Sequence, residues 1–274
     1  MTHSTDDNIL VQPVLLILAA LLVPVLVVAF FMLYPLPEVG INHFAWPIRP
    51  LMSSMMLGAT YLGGAYFFSI VLISRQWRHV WLGFLPITAF AGTLGIATLI
   101  HWDRFVHERW TFWVWALLYL TVPLFLPLLW YRNHKLTAGS PMAREGELPR
   151  LIRQLFGGLG VVLTIAALLL LVTPTVMITT WPWTLTPLTA RIMASMFILP
   201  GLVGLAMAYD GSWASSRYLL KAQAISVGLM VIAIVIARAD FDWASPTSWL
   251  FTAGMSGILL FIGYIHLLMR SAKD

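Results

Sequence analysis

The sequence predicts an all-α fold: a polytopic transmembrane helical bundle of about eight spans, arranged as a tandem duplication of a four-helix unit. Three observations predict it. Of 274 residues, 60% are hydrophobic and only 10% charged, against about 25% charged in soluble domains, so a water-facing surface cannot be built. Apolar runs of about twenty residues, long enough to cross about 30 Å of hydrocarbon, recur along the chain. The second half also repeats landmarks of the first.

Taken in order, the first apolar run covers about 10–34. It follows "MTHSTDDNIL", which lacks the basic n-region of a signal peptide, and it is too long for a signal core, so a retained span is expected. Runs at 50–73, 79–100 and 110–131 follow. Then comes the longest polar segment, "YRNHKLTAGSPMAREGELPR" at 131–150, whose Gly, Pro and charges mark a linker. The remaining runs lie at about 154–178, 188–209, 217–237 and 247–269. This divides the chain into a first half (1–135), a linker (136–152) and a second half (153–274).

Laid over itself without gaps so that Trp77 falls on Trp213, the sequence also sets Gly92 on Gly228, Phe105 on Phe241 and Trp113 on Trp249. "WPIRPL" precedes the second span and "WPWTLTPL" the sixth. Two units of four spans enter the bilayer from the same side, related by an axis along its normal. The same offset sets Met55 against Arg191, which argues against paired arginine sites. Eleven Lys and Arg residues fall on the side of the termini and five on the other. The count puts both termini in the cytoplasm; Asp6 and Asp7, before the first span, are the one discordant flank.

The formal charge of +5 and pI near 9.7 come from residues flanking apolar runs, so they set topology and point to no nucleic acid. With no cysteine, disulfides, iron–sulfur clusters and thiolate metal sites are excluded.

The expected external side gathers the polar chemistry. "HWDRFVHERW" (101–110) holds His101, Asp103, Arg104, His107, Glu108 and Arg109 between tryptophans. If 101–109 continues as helix, Asp103 and His107 share a face, as do Arg104 and Glu108, and His101 aligns with Glu108. Such a patch has the groups for an external ligand or metal site, or for acid–base work. The plainer reading is an aromatic belt with polar caps and ion pairs. His43, in the first external loop, is the candidate second ligand for a two-histidine metal site with His101. The second half offers Asp240 and Asp242 in "RADFDW", and Arg191 near the external start of the sixth span. Arg191 is expected to anchor to a lipid phosphate or to Asp240 or Asp242.

No HExxH spacing occurs, and no histidine pair suits bis-histidine haem, since His101 and His266 fall near opposite faces. No cofactor is predicted; an external metal or quinone stays compatible. Ionisable residues are nearly absent from mid-span, which argues against ion-coupled transport. Gln223, Thr60, Thr88, Thr93 and Ser195 remain as a neutral polar path. Small-xxx-small pairs in spans two and three (Ala59/Gly63, Thr60/Gly64, Ala91/Gly95) and "FGGLG" in span five suit close helix packing, within the chain or against a partner subunit or second copy.

The segments HWDRF (101–105) and WPWTLTPLTAR (181–191) resemble a pair of motifs in an uncharacterised group of bacterial multi-pass proteins. The resemblance implies a bacterial inner-membrane home and no mechanism. The leading expectation is a non-enzymatic protein: a small neutral solute facilitator, or one that binds a lipid or hydrophobic ligand at its external face. The alternatives are an interfacial metal- or quinone-binding enzyme or redox accessory using 101–108, and a structural subunit of a larger membrane complex.

Overall fold

The computed structural model describes residues 10–137 and 146–271, leaving Asp6, Asp7 and the middle of the linker outside the described residues. Eight long helices carry the chain: α1 (Pro13–Leu33), α3 (Leu51–Ser74), α4 (Trp77–Ile100), α5 (Trp110–Thr137), α6 (Arg150–Val172), α8 (Pro187–Asp210), α9 (Trp213–Ile236) and α10 (Pro246–Ser271). Two short helices, α2 (Pro37–His43) and α7 (Pro174–Ile178), lie in the connections after α1 and α6. All eight long helices are long and apolar enough to cross a membrane, and the described residues contain no β-strand. The chain is a polytopic helical membrane protein.

Local chemistry places the boundaries. Pro13, Pro37, Pro174, Pro187 and Pro246 each open a helix, where the ring pre-sets φ and the missing N–H costs nothing. At α8 the Thr186 hydroxyl also accepts from Thr189 N at 3.1 Å, a side-chain N-cap. The fifth span departs from expectation: it starts at Arg150, not 154, and ends at Val172, not 178. Pro174 excludes the helical backbone at the residue before it, so 174–178 forms a separate turn of helix. Helices α3 and α8 both end on a left-handed residue, Arg75 (φ 52°) and Gly211 (φ 70°), and two-residue connections lead into α4 and α9.

Many of these elements recur at the offset that joins Trp77 to Trp213: α3 and α8, α4 and α9, the 3-10 turns Trp102–Arg104 and Arg238–Asp240, and the starts of α5 and α10. Tertiary hydrogen bonds recur too. Val11 N donates to Arg75 O and Leu148 N to Gly211 O, each at 2.8 Å; Val106 N donates to Ala45 O and Asp242 N to Pro182 O, each at 2.9 Å. Trp46 meets Phe105 with centroids 5.1 Å apart, and Trp183 meets Phe241 at 5.0 Å.

The halves do not form two separate bundles. Helix α1 packs on α3, α5 on α4, α6 on α8 and α10 on α9, but α3 crosses to α9 and α4 to α8, while α3 and α4 scarcely touch. Four inner helices (α3, α4, α8, α9) thus carry the seam, and four outer helices face lipid. Protein buries 61% of the apolar stretch of α3 but 11% of that of α10.

Between helices in lipid, close van der Waals contact replaces the hydrophobic drive. The small-residue faces supply it inside the chain. A Cβ on Gly63 would clash with Ser226 and stand 2.8 Å from Ala222 O on α9; one on Gly160 would stand 2.7 Å from Gly201 O on α8; one on Gly95 would strike Tyr119 O on α5.

Candidate functional site

Four connections gather at one end of the bundle: 34–50, 101–109, 173–186 and 237–245. Here the 101–110 segment corrects the helical expectation. α4 stops at Ile100, Trp102–Arg104 forms a 3-10 turn, and Phe105 is extended. Asp103 and His107 therefore share no helix face, and neither Arg104 with Glu108 nor His101 with Glu108 is aligned by helical periodicity. Arg104 pairs instead with its neighbour Asp103 at 3.4 Å, both largely in the open, where an ion pair contributes little. His107 packs its ring on Phe112 and Trp102, and Glu108 is exposed.

Three of the remaining charges at this end, Arg191, Arg109 and Asp240, reach helix ends. Arg191, half-buried on α8, donates from Nε to Leu171 O at the end of α6 (3.0 Å) and from Nη1 to His101 Nε2 just past the end of α4 (2.8 Å). It does not pair with Asp240 or Asp242. The guanidinium thus caps the end of α6 through Leu171 O and is held beside the end of α4 by the His101 ring; a helix C-terminus favours a nearby cation. Arg109 does the same for α2, donating to Phe44 O (2.7 Å) and Ile41 O (3.2 Å). Asp240 reaches across the seam to accept from Met52 N in the first turn of α3 at 2.7 Å, the complementary cap. Asp242 holds a local turn through Ala244 N.

Burial first, and the Arg191 guanidinium second, lower the His101 pKa from its ordinary value. His101 is therefore neutral at pH 7 and able to accept from Arg191. That contact occupies Nε2 and sets a cation beside the ring. His43 is exposed, and its carbonyl accepts from Thr111 Oγ1 (2.6 Å). No group of three or more His, Asp or Glu side chains in metal-binding geometry occurs among the described residues.

Below this collar, at mid-depth, the inner helices border a partly open chamber of about 130 Å³. Its walls come from both halves: Thr60, Gly63, Gly64 and Gly83 on one side, Pro200, Leu219, Gln223 and Ser226 on the other, with α6 and α10 flanking it laterally. Most of the wall is apolar. The expected polar path mostly dissolves, because Thr60, Thr88, Thr93 and Ser195 each donate back to a carbonyl of their own helix. Gln223 and Ser226 do not: both line the chamber, and neither makes a hydrogen bond among the described residues.

Above the chamber lies an open crevice of about 550 Å³ with a largely apolar wall (Pro37, Ile41, Ile48, Pro50 and Leu51 among its residues) and Glu38, Arg49 and Asp240 at its edge. Helix α3 joins the two spaces: Leu51 and Ser54 face the crevice, Met56 and Thr60 face the chamber, and fully buried Met52 and Met55 lie between in sequence. Sequence reasoning singled out Gln223 but missed Ser226, and it missed a buried tyrosine pair. Tyr119 donates to Tyr61 at 2.9 Å beside a groove between α1 and α5. The available signal was tyrosine in mid-span, where an interfacial belt does not account for it. No family model matches the chain, and no curated protein or solved structure matches it either.

Proposed function

We propose that this chain is a non-enzymatic facilitator for small neutral solutes in the bacterial inner membrane, a duplicated four-helix unit with both termini cytoplasmic. The observation that carries the reading is the mid-depth chamber on the seam between the halves, where Gln223 and Ser226 make no hydrogen bond among the described residues. Transporters built from repeats hold substrate at this place, near the midplane where the repeats meet. The open crevice on the expected external side, edged by Glu38, Arg49 and Asp240, is the matching vestibule. Flexible methionine side chains between the two spaces suit a plug that moves aside for a small molecule. The scarcity of charge on the chamber wall selects against ions, and its apolar area favours solutes with one or two polar groups over strongly hydrated ones. The recurrence of landmarks at one constant interval supports duplication, and the lysine and arginine distribution supports the orientation.

Flux measurement tests this. In liposomes carrying the protein, light scattering after an osmotic step with 1,2-propanediol, glycerol or urea reports solute entry. Entry faster than in protein-free liposomes is expected, most for 1,2-propanediol. Gln223→Leu is expected to slow it about tenfold, the size of one lost hydrogen bond of about 1.4 kcal/mol. Equal rates with and without protein for all three solutes overturn the reading.

A further inference from the structure

A second feature, independent of the central chamber, is the groove of about 270 Å³ between the outer helices α1 and α5. Phe44, Trp110 and Thr111 line its end nearest the collar; Tyr61 and Tyr119 lie deep along it. Trp115 continues the aromatic wall, its ring centroid 4.3 Å from that of Tyr119 and 5.7 Å from that of Phe44. Both tyrosines are 3% exposed. Tyr119 donates to Tyr61, and nothing among the described residues accepts the Tyr61 proton. The hydrocarbon core of a bilayer supplies no water to take it.

Depth narrows the ligand. Tyr61 lies ten residues into α3 and Tyr119 nine residues into α5, which puts the pair about 14 Å below the helix ends at 1.5 Å per residue. Lipid ester carbonyls stay at the interface, too far out to reach it. The missing acceptor must ride on a molecule that carries an oxygen deep into the bilayer and suits an aromatic wall. A planar conjugated ring stacks on such faces. The fold itself does not require the donor: in the second half, Phe197 and Met255 take the corresponding places on α8 and α10.

We propose that the groove between α1 and α5 binds the head of an isoprenoid quinone, with a ring carbonyl accepting from the Tyr61 hydroxyl and the ring against Trp115. Tyr119 is a positioning residue: by donating to Tyr61 it turns the Tyr61 proton toward the ligand. No electron transfer is part of the proposal.

The test uses the full chain in nanodiscs with decylubiquinone and, as the analogue without a carbonyl, decylbenzene. Decylubiquinone is expected to bind about tenfold more tightly, one hydrogen bond's worth, with its infrared carbonyl band shifted to lower frequency. Tyr61→Phe is expected to abolish both the preference and the band shift. Tyr119→Phe is expected to weaken binding less than Tyr61→Phe. Equal affinity for the two probes, or an unchanged band shift in Tyr61→Phe, overturns the proposal. Should Tyr61→Phe fail to assemble, Val28→Trp is the second variant: Val28 lines the groove and is 52% exposed. It is expected to abolish decylubiquinone binding by filling the space, and retained binding is equally fatal.

Discussion

At the floor of its lateral opening the first half carries Tyr61 hydrogen-bonded to Tyr119, while the second half has Phe197 and Met255 at the corresponding places. The asymmetry recurs elsewhere. Arg191 on α8, which bridges the end of α6 and the His101 ring past α4, stands opposite Met55 on α3. Asp240, which caps α3 from the second half, stands opposite Arg104, which only meets its neighbour Asp103. Gln223 on the chamber wall stands opposite Ile87, also on that wall. The backbone plan and its turn hydrogen bonds are common to both halves; the polar side chains differ. Shared features are those each half needs to close its connections and pack its helices. The unshared ones are free to serve the seam or a ligand, and they are where function is to be sought.

The largest expected effect comes from breaking the seam. Gly63→Leu drives a side chain into Ala222 and Ser226 on α9, and overpacking against backbone is expected to cost about 3 kcal/mol or more. It should abolish the folded peak in size-exclusion chromatography after mild heating. Gly257→Ala, on lipid-facing α10 with open space around it, is expected to be neutral or to stabilise by up to about 1 kcal/mol. Equal behaviour of the two variants would dissolve the distinction between inner and outer helices.

Next is the Arg191 bridge. Arg191→Ala leaves the Leu171 carbonyl and His101 without their donor, at an expected cost of about 1–3 kcal/mol in thermal unfolding. Asp103→Ala, at the exposed pair, is expected to shift stability by less than about 0.5 kcal/mol. A neutral Arg191→Ala would reduce Arg191 to a surface anchor.

A smaller effect follows from pH. Burial and Arg191 lower the His101 pKa below 6.5, so the unfolded chain takes up its proton first as pH falls. The contribution of neutral His101 is present above about pH 6.5 and is lost as pH drops through the depressed folded value. Unfolding temperatures measured from pH 7.5 to 5 should fall more for the native chain than for His101→Gln. Parallel curves would remove His101 from the Arg191 cap.

The smallest concerns the paired turns. Arg75 holds the left-handed conformation that Gly211 adopts without a Cβ. Arg75→Gly is expected to stabilise by about 0.5–1 kcal/mol, read as a small rise in unfolding temperature; destabilisation would mean that the Arg75 side chain contributes more than its backbone costs.

How much of this was readable in advance follows from the kind of signal each feature leaves. The spans were legible because twenty apolar residues in a row have one stable setting, and their ends because proline and tryptophan mark them. Misplacing the fifth span came from reading hydropathy through Thr173–Pro174, where backbone sterics end the helix while apolar residues continue. The 101–109 cluster misled because i,i+4 pairing presumes a helix that stops at Ile100. Arg191 was legible as important but not as a cap, since the carbonyl and the ring it meets belong to residues 20 and 90 positions away.

By itself the sequence determined the solvent of this protein, the number of its spans and the recurrence along the chain, all of which depend on short-range hydropathy and local backbone preference. Only the tertiary structure decided that α3 joins α9 and α4 joins α8, that Arg191, Arg109 and Asp240 reach helix ends, and that, among the described residues, Gln223, Ser226 and Tyr61 keep unmatched polar groups. In an apolar medium every helix face looks alike to hydropathy. Which faces meet is set by the close fit of glycines and side chains distant in sequence, and the spaces that fit leaves open appear only when the chain is folded.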